Sequence, residues 1–254
     1  MTIMRYVDIH CHILPELDDG SYHIGDSLQM ADMAVSDNTV GIVCTPHHIP
    51  GCLYTYADMK AVFQRTTATL RDKNIPLTLY PGQEIFLSDS ISAIIRDLEA
   101  GQMFTLNHSA YPLVEFDPFE KEESVIRKLS RLISHGFVPI VAHPERYAFM
   151  NEDPDIAWEL HDLGALLQVN KGSLKGFFGP EAAETSYFLL ENRLADFVAS
   201  DAHSPHVRTP QLHEAHEWIS ENFSYRYADY LLMENPELVL KNKKIYPYVS
   251  SRGY

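Results

Sequence analysis

The sequence predicts a barrel of about seven parallel β-strands, each followed by a helix or a long loop. Short runs rich in Val, Ile, Leu and Tyr alternate with helical stretches along the 254 residues, which is the order of parallel β/α units. The strand-like runs lack strict apolar–polar alternation, as expected of strands that are buried on both faces. No linker-like stretch divides the chain, so we expect one domain over residues 1–254.

Seven runs carry the strand pattern, and the first of them also bears on the alternative fold. An open, doubly wound sheet that binds a dinucleotide would have a glycine-rich turn after its first strand. His10, Cys11 and His12 stand there instead, so the barrel is favoured over the open sheet. The predicted strands span residues 6–10, 40–45, 76–82, 111–116, 137–142, 166–169 and 195–199.

The helices between these strands are predicted from apolar spacing and from proline and glycine positions. Val125, Leu129 and Leu132 form one apolar stripe, and Gly136 follows as a helix end. Prolines open three of the later helices, where the missing N–H costs nothing. The predicted helices span residues 26–36, 56–73, 120–135, 154–163, 180–192, 210–222 and 225–233, and the tail 246–254 is expected to fray.

Composition excludes several classes of protein. Twenty Lys and Arg residues stand against 35 Asp and Glu, a formal net charge of −15, which argues against binding nucleic acid or an anionic membrane. No apolar run reaches the length of a membrane span, and charged or polar residues interrupt the N-terminus where a signal peptide would be apolar. Cys11, Cys44 and Cys52 form no disulfide framework, so we expect a reduced, cytoplasmic compartment.

Metal-binding side chains recur where the predicted strands end. Six of the seven strands deliver His, Asp or Glu there, and the carboxyl ends of barrel strands open onto one face. His10 and His12 lie on the same side of an extended segment, because side chains alternate with a period of two. The candidate ligands are His10, His12, Asp19, His47, Glu84, Glu115, His143, Asp201 and His203. Imidazoles and carboxylates in this number indicate a cluster of two or three Zn, Mn or Fe ions.

The motifs that contain these residues resemble those of a known superfamily. Asp8-x-His10-x-His12, Thr45-Pro46-His47, Glu84, His143-Pro144-Glu145-Arg146 and Ser200-Asp201-Ala202-His203 are similar to the motifs of the polymerase and histidinol phosphatase (PHP) superfamily. The stretch 8–20 more specifically resembles the bacterial tyrosine-protein phosphatases of capsular and exopolysaccharide synthesis. The resemblance covers Asp8 to about Ile245.

The resemblance implies a distorted (β/α)7 TIM-like barrel with parallel strands and three divalent ions, with manganese as the usual metal. Arg146 and Arg208 would hold the phosphate, since a guanidinium fork suits it bidentately, while water made acidic by the ions would attack phosphorus. The substrate would be phosphotyrosine in the tail of a cognate bacterial tyrosine kinase. By position, the first ion takes His10, His12, Glu84 and Asp201; the second takes Glu84, Glu115 and His143; the third takes Asp19, His47 and His203.

Alternative functions stay open at this point. The same chemistry would suit a small-molecule phosphatase such as histidinol phosphatase, or a nuclease of the PHP type, although the acidic balance disfavours the nuclease. A non-catalytic metal-dependent interaction module is a fourth possibility, disfavoured by the completeness of the ligand set. A cysteine-based phosphatase is excluded, because no arginine stands six residues after any cysteine.

Some neighbouring residues are expected to have ordinary roles. Asp18 is interpreted as a structural residue of its loop, while its neighbour Asp19 is the ligand candidate. His135, His161, His213 and His216 fall on predicted helices and are expected to face solvent.

Overall fold

The computed structural model describes residues 4–248. Within this range the chain forms nine strands, and every strand pairing is parallel. The strands are β1 (Tyr6–Cys11), β2 (Thr39–Cys44), β3 (His47–His48), β4 (Thr78–Pro81), β5 (Glu84–Phe86), β6 (Leu113–Glu115), β7 (Ile140–Ala142), β8 (Leu166–Asn170) and β9 (Phe197–Ala199).

These nine strands occupy seven positions, here called staves, around a closed barrel, because β3 continues β2 and β5 continues β4. One sheet has the order β1-β2-β4 and the other β3-β5-β6-β7-β8-β9, and two staves are interrupted, at residues 45–46 between β2 and β3 and at 82–83 between β4 and β5. A parallel bridge between Cys11 and Ala202 joins the last stave to the first. The predicted distorted (β/α)7 barrel is therefore confirmed, and the alternative prediction of an open, doubly wound sheet is wrong.

Helices cover the outside of the barrel. Their bounds are α1 (Ile24–Ser36), α2 (Tyr56–Asp72), α3 (Ile91–Glu99), α4 (Glu122–Ser134), α5 (Ala148–Glu152), α6 (Ile156–Leu163), α7 (Pro180–Glu191), α8 (His213–Asn222), α9 (Tyr225–Asp229) and α10 (Asn235–Leu240), with a π-helical turn between the last two. Among residues 4–248, none of them is long and apolar enough to cross a membrane.

Local sequence explains where the helices begin and which face they bury. The Thr55 hydroxyl accepts from the Asp58 N–H at the start of α2, and the Asp58 carboxylate accepts from the Thr55 N–H, which completes a capping box. The α4 stripe Val125, Leu129 and Leu132 is fully buried against the barrel. The strands carry buried residues on both faces, as the sequence predicted.

The outer layer differs from the sequence prediction in three respects: one helix was missed, and two histidines were wrongly expected to face solvent. Helix α3 was not predicted, although Ile91, Ile94, Ile95 and Leu98 carry its apolar spacing. His216 and His161 do not face solvent: His216 is buried and bonded to Asp229, and His161 is bonded to Asp196.

The C-terminal tail is ordered further than the sequence predicted. The ring of Tyr248 packs against Tyr227, with centroids 4.7 Å apart. Residues 249–254 of the predicted tail lie outside the described residues, so the prediction of one domain over 1–254 stays a prediction.

Candidate metal centre

The carboxyl ends of the strands bring all nine predicted ligands to one end of the barrel. Seven of them lie at the end of a strand or in the loop that follows it, and His47 and Glu84 begin the short strands β3 and β5. Four overlapping groups form, each with ligand atoms within 4.8 Å of one another. The groups are His10, His12 and Asp201; His10, Glu84 and His143; His47, Glu84 and Glu115; and His12, Asp19, His47 and His203.

The most buried part of the site is formed by His10, His12, Glu84 and Asp201. Nε2 of His10 lies 3.2 Å from Nε2 of His12, 3.1 Å from Glu84 Oε2 and 3.4 Å from Asp201 Oδ1. Nε2 of His12 lies 3.3 Å from the same Glu84 oxygen and 3.5 Å from the same Asp201 oxygen. Two imidazole nitrogens and two carboxylate oxygens thus converge on one point.

Hydrogen bonds on the far side of both rings decide which nitrogens are free. Nδ1 of His10 lies 2.7 Å from the amide oxygen of Gln168, and Nδ1 of His12 lies 2.7 Å from an Asp18 carboxylate oxygen. Because these oxygens accept hydrogen bonds, both Nδ1 atoms carry the proton, and in the neutral rings both Nε2 atoms present lone pairs. Four acceptors then face one another, an arrangement that fits a cation at their centre.

Glu84 connects this group to the rest of the site. Its Oε1 lies 2.8 Å from Nε2 of His143, and its Oε2 lies 3.0 Å from Nδ1 of His47. The same His47 nitrogen lies 3.0 Å from Glu115 Oε1. Oε2 of Glu84 is buried and lies within 3.3 Å of ring nitrogens of His10, His12 and His47. Among residues 4–248 none of its contacts has the geometry of a hydrogen bond, so this carboxylate is suited to bridge two cations.

A third group opens towards solvent. Oδ1 of Asp19 lies 3.5 Å from Nε2 of His47 and 3.5 Å from Nε2 of His203. The Asp19 side chain is 71% exposed, whereas the His203 side chain is only 9% exposed. Asp19 therefore closes the group from the mouth of the site.

The buried carboxylates of the site favour positive charge beside them, as the pKa values of three residues indicate. Burial lowers the pKa of His47, but the carboxylates of Glu115 and Glu84 outweigh it and raise the pKa to about 10. Burial also opposes charge on His12, yet Asp18 and the other acids hold its pKa well above the usual range. Burial raises the pKa of Asp201, but His10 and the neighbouring imidazoles hold it well below its usual value. Protons or divalent ions can supply this charge.

Residues that are not candidate ligands hold the ligands in place. Gln168 accepts from His10 and donates to Asn170 Oδ1, and Asn170 donates to Asp201 Oδ2 at 2.6 Å. Asp8 accepts hydrogen bonds from the backbone N–H of His10 and of Ser200. No role was predicted for Gln168, which the sequence placed only in the predicted strand 166–169; this strand is β8 in the structure.

Both predicted arginines lie at the same cavity. Arg208 Nη2 contacts Asp201 Oδ2, Arg208 Nε donates to the Asp201 carbonyl at 3.1 Å, and Arg146 Nη1 lies 3.6 Å from Asp201 Oδ2. The cavity measures about 310 Å³ and has Phe86 and Phe116 in its wall. A second cavity of about 480 Å³ adjoins it beside residues 49–53 and shares the Glu115 wall.

Three residues of this site have strained backbone conformations. His143, Asp201 and Arg208 have φ values of 36°, 49° and 55°, in the left-handed region that residues other than glycine rarely adopt. Such conformations persist where surrounding structure imposes them, and they cluster at functional sites. The strain supports a functional interpretation of these three residues.

Residues 6–241 match a family model described as capsular polysaccharide synthesis, CpsB/CapC. The chain belongs to the CpsB/CapC family. The resemblance predicted from the sequence is therefore confirmed.

Relatives of this CpsB/CapC chain are named as phosphatases. The tyrosine-protein phosphatase YwqE of Bacillus subtilis is 37% identical over 242 residues, which cover 94% of this chain and 93% of YwqE. A chain from the crystal structures of YwqE from B. subtilis and CpsB from Streptococcus pneumoniae, called unique metal-dependent tyrosine phosphatases, is 36% identical with a TM-score of 0.87. The match covers 95% of this chain and 97% of that one. The predicted enzyme class, a metal-dependent phosphatase, is thus the class of its relatives.

More distant structures share only the fold of the CpsB/CapC chain. The phosphotriesterase homology protein of Escherichia coli has a TM-score of 0.64 at 11% identity and covers 94% of this chain and 100% of its own. This likeness supports the barrel and nothing about substrate.

The cysteines of this CpsB/CapC chain are not suited to nucleophilic catalysis. Cys11 and Cys44 are fully buried, and burial raises the pKa of both thiols. Cys52 is half-buried in the loop beside the second cavity. The sequence-based exclusion of a cysteine phosphatase agrees with these positions.

Proposed function

We propose that this chain is a metal-dependent protein tyrosine phosphatase that holds three divalent ions. The observation that carries the proposal is the convergence of four acceptor atoms from His10, His12, Glu84 and Asp201. Asp201 also lines a cavity together with Arg146 and Arg208. Acceptors that face one another fit cations, and arginines beside them fit the oxygens of a phosphate.

The proposed distribution of the ions follows the predicted ligand sets. The first ion takes His10, His12, Glu84 and Asp201; the second takes Glu84, Glu115 and His143; the third takes Asp19, His47 and His203. Distances between ligand atoms support the first and third sets. In the second set Glu84 groups with His10 and His143 and, separately, with His47 and Glu115. Since His47 Nδ1 lies 3.0 Å from both Glu84 and Glu115, His47 stands between the second and third sets. Manganese is proposed as the metal, and iron or zinc would suit the same ligands.

The chain's own residues position the reacting groups. Bound divalent ions supply Lewis acidity, which neutralises a phosphate dianion and acidifies water. Arg146 and Arg208 hold the equatorial oxygens of the phosphoryl group, whose charge grows in the transition state. Because a tyrosine phenolate leaves with a pKa of about 10, the reaction does not require a strong general acid.

The openness of the site supports a protein substrate. Exposed apolar side chains stand on loops that follow three different strands, at the same end of the barrel as the site: Tyr22, Leu53 and Phe119 are 84%, 102% and 84% exposed. Such side chains suit contact with residues on both sides of a phosphotyrosine. We propose the tyrosine-rich tail of a capsule-associated bacterial tyrosine kinase as the substrate, in the cytoplasm.

Turnover of matched substrates tests this function. We expect a phosphotyrosyl peptide to be hydrolysed with a higher kcat/KM than histidinol phosphate or the matching phosphoseryl peptide, after reconstitution with manganese. His10→Ala should abolish turnover. His135→Ala should not change it, because His135 is an exposed histidine just after α4 that pairs with Glu99. Preference for histidinol phosphate would favour the small-molecule alternative, and full activity of His10→Ala would contradict the metal mechanism.

A further inference from the structure

A phenylalanine ring lies against both arginines of the cavity. Phe178 stands in the loop between β8 and α7, and its ring centroid is 4.7 Å from the guanidinium carbon of Arg146 and 5.6 Å from that of Arg208. Both distances lie within the range of about 6 Å for attraction between a cation and an aromatic face. One neutral side chain therefore contacts both of the groups that would hold the phosphate.

The loop fixes this ring in place. Gly176 and Gly179 adopt positive φ values of 73° and 98°, and the Gly179 N–H donates to the Gly176 carbonyl at 3.1 Å, which closes a turn around Phe177 and Phe178. The Phe177 N–H also donates to the Gly172 carbonyl at 3.0 Å. The backbone on both sides of the ring is thus constrained.

Gly172 provides the space that the ring occupies. Its φ of −65° is an ordinary value for any residue, so its backbone does not require glycine. A Cβ at this position would lie 3.1 Å from Cε2 of Phe178. The absence of a side chain at 172 therefore serves the placement of Phe178.

Support from an aromatic face has a chemical advantage at this position. Asp201 also lies near both guanidinium groups, but it is a proposed metal ligand whose charge an ion would share. An acceptor that held the arginines would occupy N–H groups that the phosphate needs. A ring face attracts the cation and leaves those N–H groups free to donate.

We propose that Phe178 is a positioning residue that orients Arg146 and Arg208 for the phosphoryl group. The proposal rests on the phosphatase function proposed above. It predicts that the ring itself, rather than its volume, is required for phosphate binding.

Variants at 178 and at a second phenylalanine test this with a small substrate, para-nitrophenyl phosphate. Phe178→Leu should lower kcat/KM by about five- to thirty-fold, as expected for one or two lost contacts of this kind. The inhibition constant of inorganic phosphate should rise by a similar factor, with metal content and Tm unchanged. Phe178→Tyr, which keeps the ring, should stay close to wild type. Phe63→Leu is the matched control, because Phe63 is a half-buried phenylalanine on α2, and it should leave kcat/KM and the inhibition constant of phosphate unchanged.

Two further variants separate positioning from a general structural role. Gly172→Ala should displace the ring and lower kcat/KM in the same direction, and its effect should not add to that of Phe178→Leu. In an Arg146→Ala background, Phe178→Leu should cost clearly less than in wild type. Equal losses in Phe178→Tyr and Phe178→Leu, or an undiminished loss in the Arg146→Ala background, would overturn the proposal. A wild-type protein that does not hydrolyse phosphomonoesters would instead contradict the proposed function.

Discussion

A single carboxylate, Asp18, holds two of the site's histidines. Its Oδ2 accepts from His12 Nδ1 at 2.7 Å and from the backbone N–H of His47 at 2.9 Å, and its Oδ1 accepts from the Gly20 N–H at 3.0 Å. The first contact fixes the His12 tautomer whose Nε2 lone pair faces Glu84 and Asp201. Asp18 thus acts on the site although it is not a candidate ligand.

Asp18→Asn should weaken metal binding by about 10- to 100-fold, as loss of a residue that orients a ligand does. An amide of the same shape can present its N–H₂ group to His12 Nδ1, which would favour the wrong tautomer. Manganese titration with metal analysis measures the change. Asp32→Asn, an exposed acid on α1, is the control and should bind as wild type. Unchanged affinity in Asp18→Asn would mean that the Asp18 contact does not set the tautomer.

The candidate ligands could be predicted from the sequence, whereas the orienting roles of Asp18 and Gln168 could not. His, Asp and Glu at the strand ends share a position in the fold, and the resemblance separated Asp19 from Asp18. The sequence assigned Asp18 only to its loop, and Gln168 received no role. Its contact with His10 joins residues 158 positions apart, and no local pattern encodes such a distance.

At the scale of elements, the two interrupted staves determine where ligands emerge. The sequence predicted unbroken strands at 40–45 and 76–82, but short strands resume at His47 and Glu84, which are paired neighbours in the second sheet. At one interruption Gly82 packs so closely on the neighbouring strand that a Cβ there would lie 2.6 Å from Val43 Cγ1. Apolar periodicity does not reveal such close approaches, so the strands could be predicted and their interruptions could not.

At the opposite end of the barrel an ion pair connects helix α6 to the start of strand β9. Asp196, just before β9, accepts from His161 Nε2 of α6 at 2.9 Å and from the Leu167 N–H of β8 at 2.9 Å. Burial lowers the pKa of His161, but the hydrogen bond and charge of Asp196 outweigh it and raise the pKa. The charged form of His161 therefore stabilises the folded protein.

This pair makes stability depend on pH in a definite direction. Since the folded pKa of His161 is raised, its contribution is complete below the unfolded value of about 6.5 and is lost as pH rises through the folded pKa. His161→Gln keeps an N–H donor but carries no charge, so it should lower the free energy of unfolding by about 1–2 kcal/mol near pH 6 and by less near pH 9. Urea unfolding at both pH values measures the difference.

His135→Gln is the matched control for that experiment. His135 pairs with Glu99 at 2.8 Å, but both side chains are about half exposed, and exposed ion pairs contribute little to stability. We expect no pH-dependent change in this variant. An equal loss in His161→Gln at both pH values would show that packing, and not charge, accounts for the effect.

At the scale of the whole molecule, an acidic chain encloses a site that needs cations. The formal net charge of −15 argues against phosphate-rich partners in general, yet four of the acids, Asp19, Glu84, Glu115 and Asp201, are candidate ligands. Bound divalent ions would reverse the local charge where the arginines already lie. An acidic surface and a cationic pocket are therefore compatible in one protein.

Removal of the ions is consequently expected to affect both stability and activity. Ions that bind only the folded chain stabilise it by about 2.7 kcal/mol for each site at a hundredfold excess over Kd, which corresponds to a rise in Tm of about 5–10 °C for a chain of this size. Dialysis against a chelator should lower Tm and abolish phosphotyrosyl-peptide turnover, and titration with manganese should restore both with a break at about three ions per chain, the number that the three proposed ligand sets would hold. Magnesium is the control ion, since it prefers oxygen ligands to imidazole and should restore little. Full turnover at the original Tm in protein whose metal content is shown to be zero would contradict the proposed centre, because four converging acceptors would then be stable and active without a cation.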